Sequence, residues 1–370
     1  MIEFWKAGGP GSLDPARAAA ETEAEGWDGQ MFMDSAALGA DPYVLMGHWA
    51  ATTQQIKLAV GVTNPLTRHP AVTAAAAVAL QAVSGGRYVL GIGRGDSALA
   101  FLGRAPAPLV AFERALADIQ VLLSGGEVNA DRDTDSLTGH ADGLDRLTLG
   151  TRPAGMRLQW LLPDLPKVPL DVAATGPRVI ALAARLAERI TFSVGAMPER
   201  LAWAIDKARS ARCGIAGSSD GGSGQPLSFG AQLVIVCHYE VEAARDAAAR
   251  LVTPLARFQV IHQNTPAGPT QPGDEVAYAA IRRGYAMTRH SNFDDDKLVG
   301  ESISADFVRR FAVAGTPEQC VARLVDLAGL GLERFVVFGP GFYDDGFTRT
   351  GPSLFATEVM PAVRAALAGK

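Results

Sequence analysis

The amino-acid sequence predicts an α/β fold, a single (β/α)8 TIM-type barrel with insertions. Three observations lead to this prediction. Strand-like and helix-like segments alternate about every 30 residues, which is typical of right-handed βαβ units. About eight strands can be counted, the number that closes a barrel. No change of composition along the 370 residues marks a second domain.

The first half of the chain contains four predicted strands with three helices between them. The predicted strands are Ile2–Trp5, GWDGQMFMD, IKLAVGVTN and GGRYVLGIGRGD. Helices are predicted between them, at Pro15–Glu25, DPYVLMGHWAATT and HPAVTAAAAVALQAVS. Pro42 stands at the start of the second helix, where a missing backbone N–H costs nothing.

The second half repeats the alternation but is interrupted twice. Its predicted strands are PLDVAATGP, ITFSV, LSFGAQLVIVCHY and RFVVF, with helices between them. Before the last helix, Thr316 suits the N-cap and Gln319 can close a capping box. Two long stretches, 128–168 and 263–304, break the rhythm and are predicted to be insertions that cover a ligand site.

Composition excludes several classes of function. There are 34 basic and 39 acidic residues, so the net charge of −5 provides no basic surface for nucleic acid or anionic membranes. The three cysteines are far apart, which argues against a disulfide framework or a zinc site and favours a cytoplasmic protein. No signal-peptide pattern and no apolar run of ~20 residues is present, so no membrane span is expected.

In a barrel of this kind, chemistry is expected where strands end and helices begin. The third strand ends in Gly61, Val62, Thr63, Asn64 and Pro65. Glycine permits unusual backbone angles, and a residue before proline is biased towards a turn. Polar tips in this turn would point into the barrel mouth. The same residues also suit a plain turn with an asparagine cap.

The fourth strand ends in a glycine-rich turn that contains Gly93, Arg94 and Asp96. It is not a dinucleotide fingerprint, because Asp96 replaces the third glycine and the unit is not the first of the chain. The turn lets a planar ligand approach the backbone, with a cation and a proton donor or anchor beside it. A solvated Arg–Asp pair on a glycine turn is the alternative interpretation.

Two more strand ends carry candidate residues. Thr175, Gly176 and Pro177 open a helix, and Arg178 follows them. Free N–H groups at a helix start favour a phosphate, although an N-cap without a ligand has the same pattern. Asp34, at the end of the second strand, can orient a ligand or cap the next loop.

Together these segments resemble one family. GVTNPLTRHPAVTAAAAVALQAVSGGR and YVLGIGRGDSAL are similar to segments of deazaflavin-dependent methylenetetrahydromethanopterin reductases and of luciferase-like monooxygenases. ATGPRVIALAARLAERI and FAVAGTPEQCVARLVDLAGLGLERFVVF match the family's phosphate turn and closing unit. The resemblance covers roughly residues 1–125, 168–215 and 305–340.

The resemblance implies a homodimeric barrel with FMN or coenzyme F-420 across its mouth. It implies a cis peptide between Gly61 and Val62 that supports the ring. It also implies a proton donor at Asp96, where related glucose-6-phosphate dehydrogenases carry a glutamate. Asp34-Ser35 departs from the Asp-His of many deazaflavin-dependent members, which argues against an alcohol-dehydrogenase mechanism.

On this basis the sequence favours a two-component monooxygenase that uses O2 and reduced FMN, supplied by a partner flavin reductase, on a small organic substrate. F-420-dependent hydride transfer and a non-catalytic flavin-binding protein remain as alternatives. The expected catalytic residues are Asp96 and Asn64, and no metal site is expected. The expected cofactor-binding residues are Asp34, Gly61, Val62, Thr63, Asn64, Gly93, Arg94, Thr175, Gly176 and Pro177.

Overall fold

A computed structural model confirms the predicted barrel. It describes residues 1–8, 15–129, 155–213, 226–261, 265–290, 303–339 and 353–369. The described strands are β1 Glu3–Ala7, β2 Gly29–Phe32, β3 Lys57–Thr63, β4 Tyr88–Ile92, β5 Val128–Asn129, β6 Gly155–Met156, β7 Leu170–Ala174, β8 Arg189–Phe192, β9 Ser228–Cys237, β10 Val313–Gly315 and β11 Arg334–Phe338. Eight of them pair in parallel in the order β9-β11-β1-β2-β3-β4-β7-β8, and pairing of β8 with β9 closes the ring.

The helices follow the predicted alternation. They are α1 Pro15–Ala24, α2 Pro42–Thr52, α3 Pro70–Val83, α4 Ser97–Ala100, α5 Leu109–Leu123, α6 Pro177–Leu186, α7 Pro198–Cys213, α8 Val241–Ala256, α9 Asp274–Gly284, α10 Ala305–Phe311, α11 Pro317–Ala328 and α12 Met360–Ala368. The predicted capping box of α11 is present, because Thr316 accepts from the backbone of Gln319 and the Gln319 side chain accepts from the backbone of Thr316. None of the described helices has the length and apolar character needed to cross a membrane.

The N-terminal end of the barrel is closed by charged side chains inside the ring. Glu3 forms ion pairs with Lys57 and with Arg189, the latter at 3.0 Å. Burial raises the pKa of Glu3, but these two cations outweigh it and lower that pKa to about 2. Arg334 pairs with Asp171 at 3.0 Å, with both side chains almost fully buried. These groups occupy the end where the strands begin; we call the opposite end, where the strands finish, the mouth.

The chain between β9 and α11 forms a second packing unit at that mouth. Its helix α8 buries Leu251 and Val252 together with Tyr278 of α9 and Phe307 and Phe311 of α10. These residues form a hydrophobic cluster separate from the main core. The short strand β10 then returns to the sheet and pairs with the end of β9. We call residues 238–312 the β9 excursion; it includes the predicted insertion at 263–304 and the helix before it.

In the other predicted insertion, 128–168, the short strands β5 and β6 pair in antiparallel orientation. Residues 130–154 of it lie outside the described part of the chain. Residues 157–168 return along the barrel, where Leu158 and Val168 join the main core.

Candidate active site

The third strand ends in the predicted bulge. The bond between Gly61 and Val62 is cis, as the resemblance implied, and the pairing of β3 with β4 shifts between Val60 and Thr63. The Val62 side chain lies against the fourth-strand turn, since a Cβ on Gly93 would stand 3.0 Å from Val62 Cγ2. A side chain at position 93 would therefore have to displace Val62, which explains the glycine.

Asn64 fits both interpretations of its turn, the asparagine cap and the polar group available to a ligand. Its Oδ1 accepts hydrogen bonds from the backbone N–H groups of Leu66 and Thr67, both at 3.0 Å. Its Nδ2 is buried and has no hydrogen-bond partner in the described structure. The neighbouring Thr63 is fully buried. Asn64 therefore caps the turn and keeps an unused donor at the strand end.

Asp34 and Ser35 follow β2, at the same end of the barrel as Asn64, which follows the neighbouring strand β3. Asp34 Oδ2 lies 4.0 Å from Arg68 Nε, and neither this oxygen nor Ser35 Oγ, both buried, has a hydrogen-bond partner in the described structure. Arg68 is held instead by Asp41 at 2.5 Å. Burial and the nearby charge of Asp34 raise the pKa of Tyr43 to about 12. A buried polar group without a partner costs roughly 1–3 kcal/mol, so these atoms are candidates for hydrogen bonds to a ligand.

The fourth-strand turn holds Arg94 and Asp96, but not as a pair. Arg94 Nε donates to the carbonyl oxygen of Ala107 at 2.6 Å. Asp96 precedes the short helix α4, makes no side-chain cap there, and forms an ion pair with Arg257 of the β9 excursion. The alternative of a solvated Arg–Asp pair within the turn is therefore wrong.

The turn after β7 offers an anion site. Gly176 is the N-cap of α6 and supplies no side-chain cap, and a Cβ there would meet nothing within 4 Å. Arg94 follows β4 and Arg178 lies in the first turn of α6 after β7, and these two strands pair directly. Burial, followed by the charge of Arg178, lowers the pKa of Arg94. Neither arginine has a carboxylate partner among the described residues. Two cations beside the open N-terminus of a helix favour a phosphate.

The β9 excursion contributes residues that sequence reasoning missed. The guanidinium of Arg257 lies over the rings of Phe258 and Tyr285, 4.5 and 5.2 Å from their centroids. The Tyr285 hydroxyl bonds to His290 Nδ1. Burial, followed by the charge of Arg257, lowers the pKa of His290 to about 4, so its imidazole is neutral at pH 7. The only sequence signal for Arg257 is its position as a basic residue directly after α8, and that position does not indicate a functional role.

Comparison with known proteins decides the family. The family model for luciferase-like monooxygenases matches residues 7–334. The chain belongs to this luciferase-like family. As a luciferase-like oxidoreductase, it carries its candidate residues at the strand ends of the barrel mouth, where enzymes of this fold place their chemistry.

Relatives of this luciferase-like oxidoreductase differ in their chemistry. It is 26% identical over 302 residues to a 5,10-methylenetetrahydromethanopterin reductase from Methanolobus tindarius, covering 81% of this chain and 82% of the relative. The coenzyme F-420-dependent tetrahydromethanopterin reductase of Methanopyrus kandleri superposes with a TM-score of 0.67 at 19% identity, covering 97% of this chain and 99% of that one. A type II Baeyer–Villiger monooxygenase from Pseudomonas putida, in complex with FMN, superposes with 0.62 at 16%, covering 98% and 99%. The two superpositions show the shared fold.

Proposed function

We propose that this luciferase-like protein is a coenzyme F-420-dependent oxidoreductase that transfers a hydride to or from a small organic substrate. The observation that carries the proposal is the similarity to a methylenetetrahydromethanopterin reductase along four-fifths of the chain. A reductase of that kind is named as F-420-dependent in Methanopyrus kandleri. This choice reverses the order of preference that the sequence motifs favoured.

The residues of the mouth fit a flavin-type cofactor with a phosphate. Three buried polar atoms, Asp34 Oδ2, Ser35 Oγ and Asn64 Nδ2, lack protein partners at the ends of adjacent strands. The Val62 side chain, packed over Gly93, offers an apolar support for a planar ring. These groups supply hydrogen bonds and a surface where a heterocycle with polar edges would lie.

The phosphate would bind at the turn after β7. The N–H groups of the first turn of α6, the Thr175 hydroxyl, Arg94 and Arg178 would hold it there. When bound, the deazaflavin would supply a two-electron hydride donor or acceptor. The protein's task is to fix the ring's face, exclude water with the β9 excursion and hold Asp96 through Arg257 before the substrate binds.

Spectral titration tests the cofactor. Purified protein is titrated with F-420 and, separately, with oxidised and reduced FMN, and the Arg178→Gln variant is measured in parallel. We expect F-420 to bind more tightly than FMN, and loss of Arg178 to weaken F-420 binding about tenfold, the value of one charge-assisted contact. Arg364→Gln, which removes a surface ion pair with Asp28, is the matched control and should bind F-420 like the wild type. Absence of F-420 binding would contradict the proposal.

A monooxygenase that uses reduced FMN is the second candidate. Ser35, in the position where many deazaflavin-dependent members carry histidine, favours it, and so does the β9 excursion, whose own core can keep water from the mouth. Under this candidate, reduced FMN binds more tightly than F-420 and substrate-dependent O2 uptake follows. Binding of either cofactor without turnover across a substrate panel would instead indicate a flavin-binding protein.

A further inference from the structure

The ion pair between Asp96 and Arg257 joins two separate parts of the molecule. Asp96 belongs to the fourth-strand turn, whereas Arg257 is carried into the mouth by the β9 excursion. The Arg257 side chain is 5% exposed and that of Asp96 is 19% exposed. Water therefore reaches the carboxylate more readily than the guanidinium.

Arg257 is the fixed member of this pair. Its guanidinium contacts the Phe258 and Tyr285 rings, and the following turn is tied to the barrel. Within that turn, Gln259 donates to the carbonyl oxygen of Ser193 at the end of β8 and accepts from Arg200 at 2.6 Å. The position of Arg257 over the mouth is thus set by packing and hydrogen bonds that do not involve Asp96.

Asp96 is the replaceable member. Its side chain makes no cap for α4, and Arg257 is its single side-chain partner in the described structure. The pair uses only Nη1 of Arg257, and Nε is buried with no hydrogen-bond partner among the described residues. An arginine binds a carboxylate best through two parallel N–H groups, so this guanidinium keeps unused capacity for a planar anion.

We propose that Arg257 anchors a carboxylate group of the substrate, and that Asp96 occupies this anchor until the substrate arrives. The inference rests on the proposed function, and it specifies the substrate class as an anionic, carboxylate-bearing molecule. Under the proposed function, Arg94 and Arg178 would hold the cofactor's phosphate at the turn after β7, which leaves Arg257 for the substrate. The aromatic rings beside Arg257 favour a substrate whose carboxylate is attached to a flat or apolar body.

Benzoate and benzamide are suitable probes, because they share a ring and differ in charge. Calorimetric titration of the full-length protein should show benzoate binding at least about tenfold more tightly than benzamide. Arg257→Lys keeps the positive charge but loses the pair of parallel N–H donors, and should abolish most of the preference for benzoate over benzamide. Asp96→Asn removes the internal competitor, and should bind benzoate several-fold more tightly than the wild type.

The two variants change the affinity in opposite directions, so a variant that simply unfolds cannot imitate the result. Weaker or unchanged benzoate binding in Asp96→Asn overturns the proposal, as does equal binding of benzoate and benzamide by the wild type. A loss in Arg178→Gln as large as in Arg257→Lys would assign the anion to the phosphate turn and also overturns it. F-420 titration of Arg257→Lys is the last measurement. Unchanged F-420 affinity supports a substrate role for Arg257, whereas a loss of F-420 affinity as large as the loss of benzoate affinity would assign Arg257 to the cofactor. Absence of F-420 binding by the wild type contradicts the proposed function alone.

Discussion

Replacement of Ser35 by alanine should make the protein more stable and its cofactor binding weaker. Ser35 is 3% exposed, and its Oγ has no hydrogen-bond partner in the described structure. Its carbonyl oxygen accepts from the backbone N–H groups of Leu38 and Gly39 at 2.9 and 3.0 Å, and alanine keeps both bonds. The substitution therefore removes one buried hydroxyl and nothing else.

The magnitude follows from the cost of an unpaired buried hydroxyl. Burying such a group without a partner costs roughly 1–3 kcal/mol in proteins, so Ser35→Ala should raise the free energy of unfolding by about 1 kcal/mol. If Ser35 Oγ bonds to the cofactor, alanine also loses a neutral hydrogen bond worth about 0.5–1.5 kcal/mol. That loss corresponds to a two- to twelvefold weaker F-420 affinity.

Urea denaturation of the cofactor-free protein and F-420 titration measure the two effects. Ser84→Ala is the matched control, because Ser84 is also 3% exposed but its Oγ donates to the Gln81 carbonyl and accepts from Arg87 N at 3.1 Å. Ser84→Ala should lower stability by about 1 kcal/mol and leave F-420 binding unchanged. If Ser35→Ala is as destabilising as Ser84→Ala, Ser35 Oγ is already satisfied and the reasoning fails.

Three further predictions concern stability. Asp171→Asn should lower the free energy of unfolding in urea by about 3 kcal/mol, because it leaves the buried guanidinium of Arg334 uncompensated, whereas Glu113→Gln in an exposed pair should cost under about 0.5 kcal/mol. Because His290 has a folded pKa of about 4 and an ordinary value of 6.5, the unfolded chain binds more protons between these pH values. Unfolding free energy should therefore rise from pH 4 to 6.5, and the His290→Gln variant should show a smaller slope; an equal slope would contradict the burial of this imidazole. Thr316→Ala should cost about 1 kcal/mol through loss of the capping box, measured by urea denaturation, and a change within error would show that the cap contributes nothing.

The barrel could be predicted because its determinants are local. Most strands of the barrel are short apolar runs, and many of the described helices begin with a proline or a capping residue, as at Pro42 and Thr316. Asn64 could be selected for the same reason, since the turn that it caps is encoded within a few residues. The three-residue strand β10 could not, because Val313–Gly315 is too short for any periodicity to appear.

The partners of the candidate residues could not be predicted from spacing. Asp96 and Arg257 are 161 residues apart, and their meeting depends on how the β9 excursion packs over the barrel. The Tyr285–His290 pair lies in the predicted insertion, and nothing in the sequence indicated that these two side chains meet. Such contacts arise from tertiary packing, which a turn motif does not encode.

The division between local and long-range determinants bears on function. The predicted cofactor-binding residues lie at strand ends whose backbone the barrel itself fixes, whereas Arg257 lies on a unit with its own hydrophobic core. Contacts such as Gln259 with Ser193 and Arg257 with Asp96 connect the two. Substitutions inside the β9 excursion should therefore alter which substrate is accepted while F-420 affinity stays within about twofold, since they do not move the strand ends. Parallel loss of both properties would show that the excursion also forms part of the cofactor site.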